Sequence, residues 1–178
     1  MKFCSNCGNP VEHAIPGGDD RLRFICNFCN TIHYENPKIV VGCLAVYDKQ
    51  LLLCKRAIEP CYGLWTLPGG FMENGENVEE GAERETREEA NAVIEIQGIH
   101  AVYSVPLVNQ VHIFFNAELK NTDFFPGKES LEVRLFHESE IPWDEIAFQS
   151  VHFALTAFYS DQKNGSSGPH LGTYTRNK

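Results

Sequence analysis

Residues 39–48 read IVVGCLAVYD, an apolar and β-branched run of strand length, and LLLCKR (51–56) follows after a short polar break. Lys49-Gln50 is placed to turn the first run into the second, so a β-hairpin is predicted. EPCYGLWTLPGG (59–70) reads as loop and short strand closing on a glycine pair. Apolar strand-like runs return at 92–105 and 110–119, and the polar loop NTDFFPGKES (121–130) leads into a further strand, LEVRLF (131–136). Two stretches carry the helical period instead. NVEEGAERETREEAN (77–91) is the strong helix, with Asn74 or Asn77 as its cap and acidic residues in the first turn, where they complement the helix dipole. IPWDEIAF (141–148) opens towards a second helix around 149–161, with Val151, Leu155 and Phe158 on one face. Strands mixed with two helices predict an α+β class, as a mixed β-sheet in an α/β/α sandwich-like layering.

Residues 1–35 do not fit that pattern. They are rich in Cys, Gly, Asn and Pro and have few apolar residues for a core. Asn36-Pro37 is a plausible hinge, because a residue before proline avoids the helical region. The predicted organisation is a small unit at 1–35, a main domain at 36–162, and a Gly/Ser-rich, mobile tail at 163–178. A chain of 178 residues with 43% hydrophobic content has room for one ordinary domain plus such an appendage.

Of seven cysteines, four form two tight pairs, Cys4/Cys7 and Cys26/Cys29. Two Cys-x-x-Cys knuckles at this separation can wrap one zinc ion tetrahedrally, as a four-cysteine zinc ribbon. A closed set of thiolates leaves no open position, so the expected Zn²⁺ is structural and stands in for the missing core. Two disulfides are the alternative. His13 and His33 read as surface or packing residues, and Cys43, Cys54 and Cys61 as packing residues and not nucleophiles. The ribbon is also a candidate docking or dimer surface.

The balance of 15 Lys+Arg against 24 Asp+Glu gives a net charge of -9. Such a surface repels polyanions, so no nucleic-acid partner is expected. The N-terminus MKFCSNCGNP has no charged-then-apolar leader, and no run approaches membrane-spanning length. A soluble, cytoplasmic protein with no membrane partner is the expectation.

On a helical wheel from Val78, the residues Val78, Ala82, Thr86, Ala90 and Val93 share one arc, the face expected against the sheet. Glu85 and Glu89 fall on the edge of that arc, one turn apart, with Glu88 beside them. Like charges at this spacing repel, and partial burial adds a desolvation cost to each. Protons or cations must neutralise the patch, and hard oxygen ligands select Mg²⁺ or Mn²⁺. Taken alone, an acidic helix face is ordinarily solvated surface.

The segment before the helix changes that reading. Gly69-Gly70, Glu76, Arg84-Glu85 and Glu88-Glu89 stand at the spacing of the Nudix box, here GFMENGE-NVEEGAE-RETREE. The chain closely resembles the Nudix hydrolases over about residues 38–160. Two positions depart from the usual pattern. Asn91 stands where Gly is usual, and Asn tolerates the left-handed conformation that ends a helix. Thr86 replaces an aliphatic residue. The resemblance implies that Glu85, Glu88 and Glu89 ligate the divalent metal, with the Gly69 carbonyl as a further ligand and with Arg84 and Glu76 orienting them. It also implies attack of a metal-activated water on a nucleoside diphosphate linkage. The general base of such enzymes often comes from a loop near the end of the sheet. Glu129 is the first candidate and Glu132 the second, against the reading of both as surface glutamates.

A ribbon before the box is similar to the NADH pyrophosphatases, but their Ser-Gln-Pro-Trp-Pro-Phe-Pro array is replaced here by SVPLVNQVHIFF. NPKIVVGCLAV, YGLWTLPGGFMENGE, FPGKESLEVRLF and IPWDEIAF are more similar to zinc-ribbon relatives of the FAD/ADP-ribose pyrophosphatases. An ADP-linked substrate, ADP-ribose or FAD, is therefore preferred, with AMP and a phosphorylated product, and a homodimer is the form implied. Arg56 or Lys55 would meet the diphosphate, and Trp65, Tyr62 or Phe115 the adenine. Rival readings are an NADH pyrophosphatase, a sanitiser of oxidised nucleoside triphosphates, and a non-catalytic nucleotide-binding regulator.

Overall fold

The computed structural model describes residues 1–175. The chain divides into two compact units, Met1–Asn36 and the remainder from Pro37 onward. In the first, strands β1 (Glu12–Ala14), β2 (Arg23–Ile25) and β3 (Ile32–His33) make a three-stranded antiparallel sheet. Its large apolar residues Phe3 and Phe28 are exposed, while Cys4 and Cys26 are buried. Sulfur, not hydrocarbon, sits at the centre of this unit.

The second unit is built on one mixed sheet. Its strands are β4 (Lys38–Tyr47), β5 (Gln50–Arg56), β6 (Trp65–Thr66), β7 (Gly69–Phe71), β8 (Ile94–Val105), β9 (Gln110–Leu119), β10 (Ser130–Phe136) and β11 (His170–Thr173). The order is β10-β5-β4-β9-β8-β11, with β6 beside β5 and β7 beside β4. The β4/β9 and β8/β11 pairs are parallel and the others antiparallel. Helices α1 (Val78–Ala90) and α2 (Gln149–Asn164) cover opposite faces. Alternate residues of β4 serve the two layers. Val41 and Cys43 pack with Ala82 of α1, and Leu44 packs with Val151, Ala154 and Leu155 of α2. Burial on both faces is why this strand reads as an unbroken apolar run. The result is the expected α+β, α/β/α arrangement.

Two departures from the sequence reading concern the strands. The hairpin turn is Asp48-Lys49, one residue earlier than expected, with both residues at positive φ and Tyr47 paired to Gln50. A two-residue turn of this hand matches the strand twist, and Asp tolerates it better than Gln. The second departure is the tail. Helix α2 runs to Asn164 and stops at Gly165 in the left-handed conformation, and the chain then returns as β11 alongside β8. The open edge of β8 offers unpaired backbone groups that any extended segment can satisfy, so local composition did not signal the pairing. Gly172 permits it, since a Cβ there would come within 2.6 Å of the Tyr103 ring and 2.9 Å of Phe153.

Candidate active site

Helix α1 starts where its backbone is best satisfied. Asn77 accepts from the N–H groups of Glu79 and Glu80, and Glu80 returns a bond from the Asn77 N–H, closing a capping box. It ends at Asn91 (φ 49°, ψ 27°), the left-handed stop expected of Asn in place of Gly. Gly81, Ala82, Thr86, Glu89 and Ala90 form the buried face. Thr86 is tolerated there because its hydroxyl donates to Ala82 O at 2.8 Å. Val93 does not join this face. It lies beyond the helix end and is exposed, since the left-handed Asn91 turns the chain out of helical phase.

Arg84 is the centre of the acidic patch. Its Nε and Nη2 donate to Glu76 at 2.6 and 3.1 Å, Nη1 to Glu85 at 2.7 Å and Glu88 at 3.2 Å, and Nη2 also to Phe71 O at 3.0 Å. One planar guanidinium thereby fixes three carboxylates. The Arg84 side chain beside Glu76 holds that carboxyl below its ordinary range. Burial pushes Glu85 up, against the pull of Arg84. Glu89 is 7% exposed, and burial pushes it up to about 7, even though it accepts the Gly69 N–H at 3.0 Å. Two carboxylates held near each other against a desolvation cost suit a hard divalent cation.

The glycine pair explains how backbone reaches these acids. A Cβ on Gly69 would lie 2.6 Å from Val41 O and 2.8 Å from Gly42 Cα, and one on Gly70 would strike the Glu85 carboxylate at 2.5–2.7 Å. Opposite them, the loop before β10 folds onto the end of α1. Phe125 N–H donates to Ala90 O, Gly127 N–H to Glu89 O, and Asn91 Nδ2 to Phe125 O. This brings exposed Glu129 to the patch, close enough to bias both Glu85 and Glu89 electrostatically. Glu132 is not brought there and sits on β10 opposite Lys55.

These groups line one end of a cleft of about 1630 Å³. Arg56 lines it too, 8% exposed, with Nε donating to Pro60 O and its guanidinium 5.0 Å from the Phe148 ring centroid. Lys55 does not line it. Strand alternation sends its side chain to the other face, over Trp65. The aromatic assignments are corrected in the same way. Trp65 is 5% exposed and packs edge-on against Phe136 in the α2-side core, and Phe115 is buried under α1. Tyr62 is exposed but lies outside the cleft lining. The cleft wall is instead made by Tyr103, Phe148, Tyr174 and the pair His112–Ser150 (Nδ1 to Oγ, 2.9 Å). His112 Nε2 faces Gln110 Oε1 at 3.1 Å, and burial pushes this imidazole down, towards its neutral form. These residues come from β8, β9, the cap and first turn of α2 and the segment after β11, so no local motif announced them. Gly127 had a faint signal, as the one Gly in the loop that carries Glu129.

In the first unit the four sulfurs converge. Cys4 and Cys29 Sγ are 3.6 Å apart, Cys7 and Cys26 Sγ 3.5 Å, and all four lie within 4.8 Å of one another. Disulfide bonds need about 2.05 Å, whereas sulfurs about a tetrahedral zinc stand roughly 3.8 Å apart, so the spacing fits the ion. His33 packs beside them, with Nε2 3.3 Å from Cys4 Sγ. Elsewhere, burial pushes the Cys43 thiol up to about 12 and pushes the Cys54 thiol well up too, so neither is a ready nucleophile. Among the described residues, no helix is long and apolar enough to cross a membrane.

The NUDIX domain family matches residues 36–156, and the Nudix N-terminal zinc-ribbon family matches residues 2–35. The chain belongs to the Nudix family. An ADP-ribose pyrophosphatase of Methanocaldococcus jannaschii is 31% identical over 136 residues, 74% of this chain and 78% of that protein. The NAD-capped RNA hydrolase NudC of Stutzerimonas stutzeri is 31% identical over 173 residues, covering 96% of this chain and 60% of the relative. The crystal structure of a NUDIX hydrolase from Nitrosomonas europaea superposes with a TM-score of 0.96 at 53% identity, over 99% of this chain and 100% of that one. The protein is accordingly a Nudix hydrolase, and its box is the Arg84-centred carboxylate cluster described above.

Proposed function

We propose that this Nudix hydrolase cleaves the diphosphate bond of an ADP-linked nucleotide, ADP-ribose or FAD, to AMP and a phosphorylated product. The observation that supports this most is the convergence of Glu85, Glu88 and Glu89 with the Gly69–Gly70 backbone and Glu129 at one end of a cleft lined by Arg56. In this reading Glu85, Glu88, Glu89 and the Gly69 carbonyl hold Mg²⁺ or Mn²⁺. When bound, such an ion supplies activation of water and neutralisation of charge on the phosphoryl oxygens. Arg84 and Glu76 fix the carboxylates in place. Glu129 takes the proton from the attacking water, and Arg56 meets the diphosphate charge. With Trp65 in the core, the adenine wall passes to Tyr103, Phe148 and Tyr174.

A cleft of about 1630 Å³ has room for an ADP-linked substrate. An acidic chain with net charge -9 gains little from a long RNA, so the activity in the NudC relative's name is the less favoured reading here. We further propose that the enzyme works in the cytoplasm as a homodimer. The deciding measurement is product release from ADP-ribose, FAD, NADH, an NAD-capped oligonucleotide and a set of oxidised triphosphates, each with Mg²⁺, with Mn²⁺ and with chelator. Metal-dependent AMP release, fastest from ADP-ribose or FAD, is the expected result. Faster turnover of NADH, the capped RNA or a triphosphate would overturn the substrate assignment, and binding without turnover would favour a regulator.

A further inference from the structure

A third cluster of metal-ligating groups lies away from the box and the ribbon cysteines, where β8, α2 and the C-terminal strand β11 meet. His100 comes from β8, Asp161 from the last turns of α2 and His170 from β11. One ligand atom of each lies within 4.8 Å of the other two. His170 Nε2 is 2.8 Å from Asp161 Oδ2, and the two imidazole centroids are 5.3 Å apart.

We propose that His100, Asp161 and His170 form a binding site for a zinc-class divalent ion that fastens β11 to the body of the enzyme domain.

Three arguments carry this assignment. The first is the donor set. Two imidazoles and a carboxylate are the ligands that borderline ions such as Zn²⁺ prefer, and three protein ligands leave a fourth position for water. The second is the support around them. His100 is 1% exposed, and its Nε2 lies 3.0 Å from Ala154 O. A carbonyl can only accept, so this nitrogen carries the proton and the ring keeps one lone pair on Nδ1. Ser166 Oγ donates to Asp161 Oδ1 at 2.8 Å, holding the carboxylate as second partners of metal ligands do. The third is reach. Even if all three ligand atoms were 4.8 Å apart, each would need to move by less than about 1 Å to reach bonds of about 2.1 Å to a shared ion.

The consequence reaches the cleft. Tyr174 follows β11 directly, donates its N–H to Ser104 O at 2.8 Å and lines the cleft wall. An ion joining His170 to His100 and Asp161 would hold the strand that presents Tyr174. Without it, β11 relies on four paired positions at a sheet edge and the Asp161–His170 contact.

The test uses the full chain with its ribbon cysteines intact, dialysed against Zn²⁺ in excess Mg²⁺. Elemental analysis should find one more zinc per chain in the wild type than in His170→Ala. Asp161→Asn, which keeps the side-chain shape, should lose the same equivalent and serves if the first variant folds poorly. Hydrogen exchange at residues 170–174 should slow on adding Zn²⁺ to the wild type, by up to about 100-fold at 100 times the dissociation constant, and not in either variant. Equal zinc content in wild type and variants, or exchange that ignores Zn²⁺, would overturn the proposal and leave a hydrogen-bonded latch.

Discussion

Glu89 concentrates the conflict that the box resolves. Folding removes it from water beside Glu85 and Glu129, so its proton is held to about pH 7 in the folded chain but only to about 4.5 in the unfolded one. Between those values the folded state binds more protons, and stability must fall as pH rises. In metal-free protein the loss is complete above pH 7 and amounts to roughly 3 kcal/mol. Glu89→Gln keeps an acceptor for the Gly69 N–H and removes the charge. The expected result is a metal-free variant more stable than wild type at pH 8, with little difference near pH 4.5, and activity lower by at least about 100-fold. Thermal melts with chelator at both pH values check the first point; gross unfolding of the variant would contradict it. In the proposed reaction Glu129 is the base, and its charge is also one of those set against Glu85 and Glu89. Glu129→Gln should lower kcat by about 10²–10⁴-fold with a melting temperature no lower than wild type, read from steady-state kinetics alongside the melt.

At the scale of elements, a helix end and a loop are joined beside the box. The loop 124–129 closes on the last carbonyls of α1, groups that every helix leaves unsatisfied, and so carries Glu129 to Glu85 and Glu89. Gly127 is the point of closest approach: a Cβ there would stand 1.8 Å from Glu88 O. Gly127→Ala must therefore displace the loop, breaking its bonds to Glu89 O and Ala90 O. A stability loss of about 1–3 kcal/mol and a fall in kcat comparable with that of Glu129→Gln are expected. Denaturant unfolding and turnover measured together check this, and normal kcat in a destabilised variant would separate the loop from the chemistry. At the other end, Asn77→Ala removes a capping box and should cost about 1 kcal/mol while leaving the metal ligands in register.

At the scale of the whole molecule, the two units hold together by different physics. The domain from Pro37 buries apolar clusters on both sides of its sheet. The first 36 residues contribute nothing to those clusters, and the four sulfurs gathered at their centre are expected to supply the order instead. Cys26→Ser should release the ribbon zinc and disorder residues 1–35, while the cooperative melt of the larger domain persists. Elemental analysis and limited proteolysis check this, and unchanged zinc content would refute it.

Much of this was legible in the chain itself. The apolar runs marked β4, β5, β8, β9 and β10, the 3.6-residue period marked both helices, and the spacings of Gly70, Glu76, Arg84, Glu85, Glu88 and Glu89 and of the four paired cysteines marked the two sites. Such features are local, because a helix or a knuckle fixes the relative positions of residues a few places apart. Three things were decided only in three dimensions. Strand alternation and neighbouring layers put Trp65 and Phe115 in the core and sent Lys55 away from the cleft while Arg56 faced it. The free edge of β8 recruited a Gly-rich tail as β11. The return of that strand then brought His100, Asp161 and His170, 70 positions apart at their extremes, into one cluster. No local pattern encodes those contacts, because each depends on which face of a distant element the chain happens to meet.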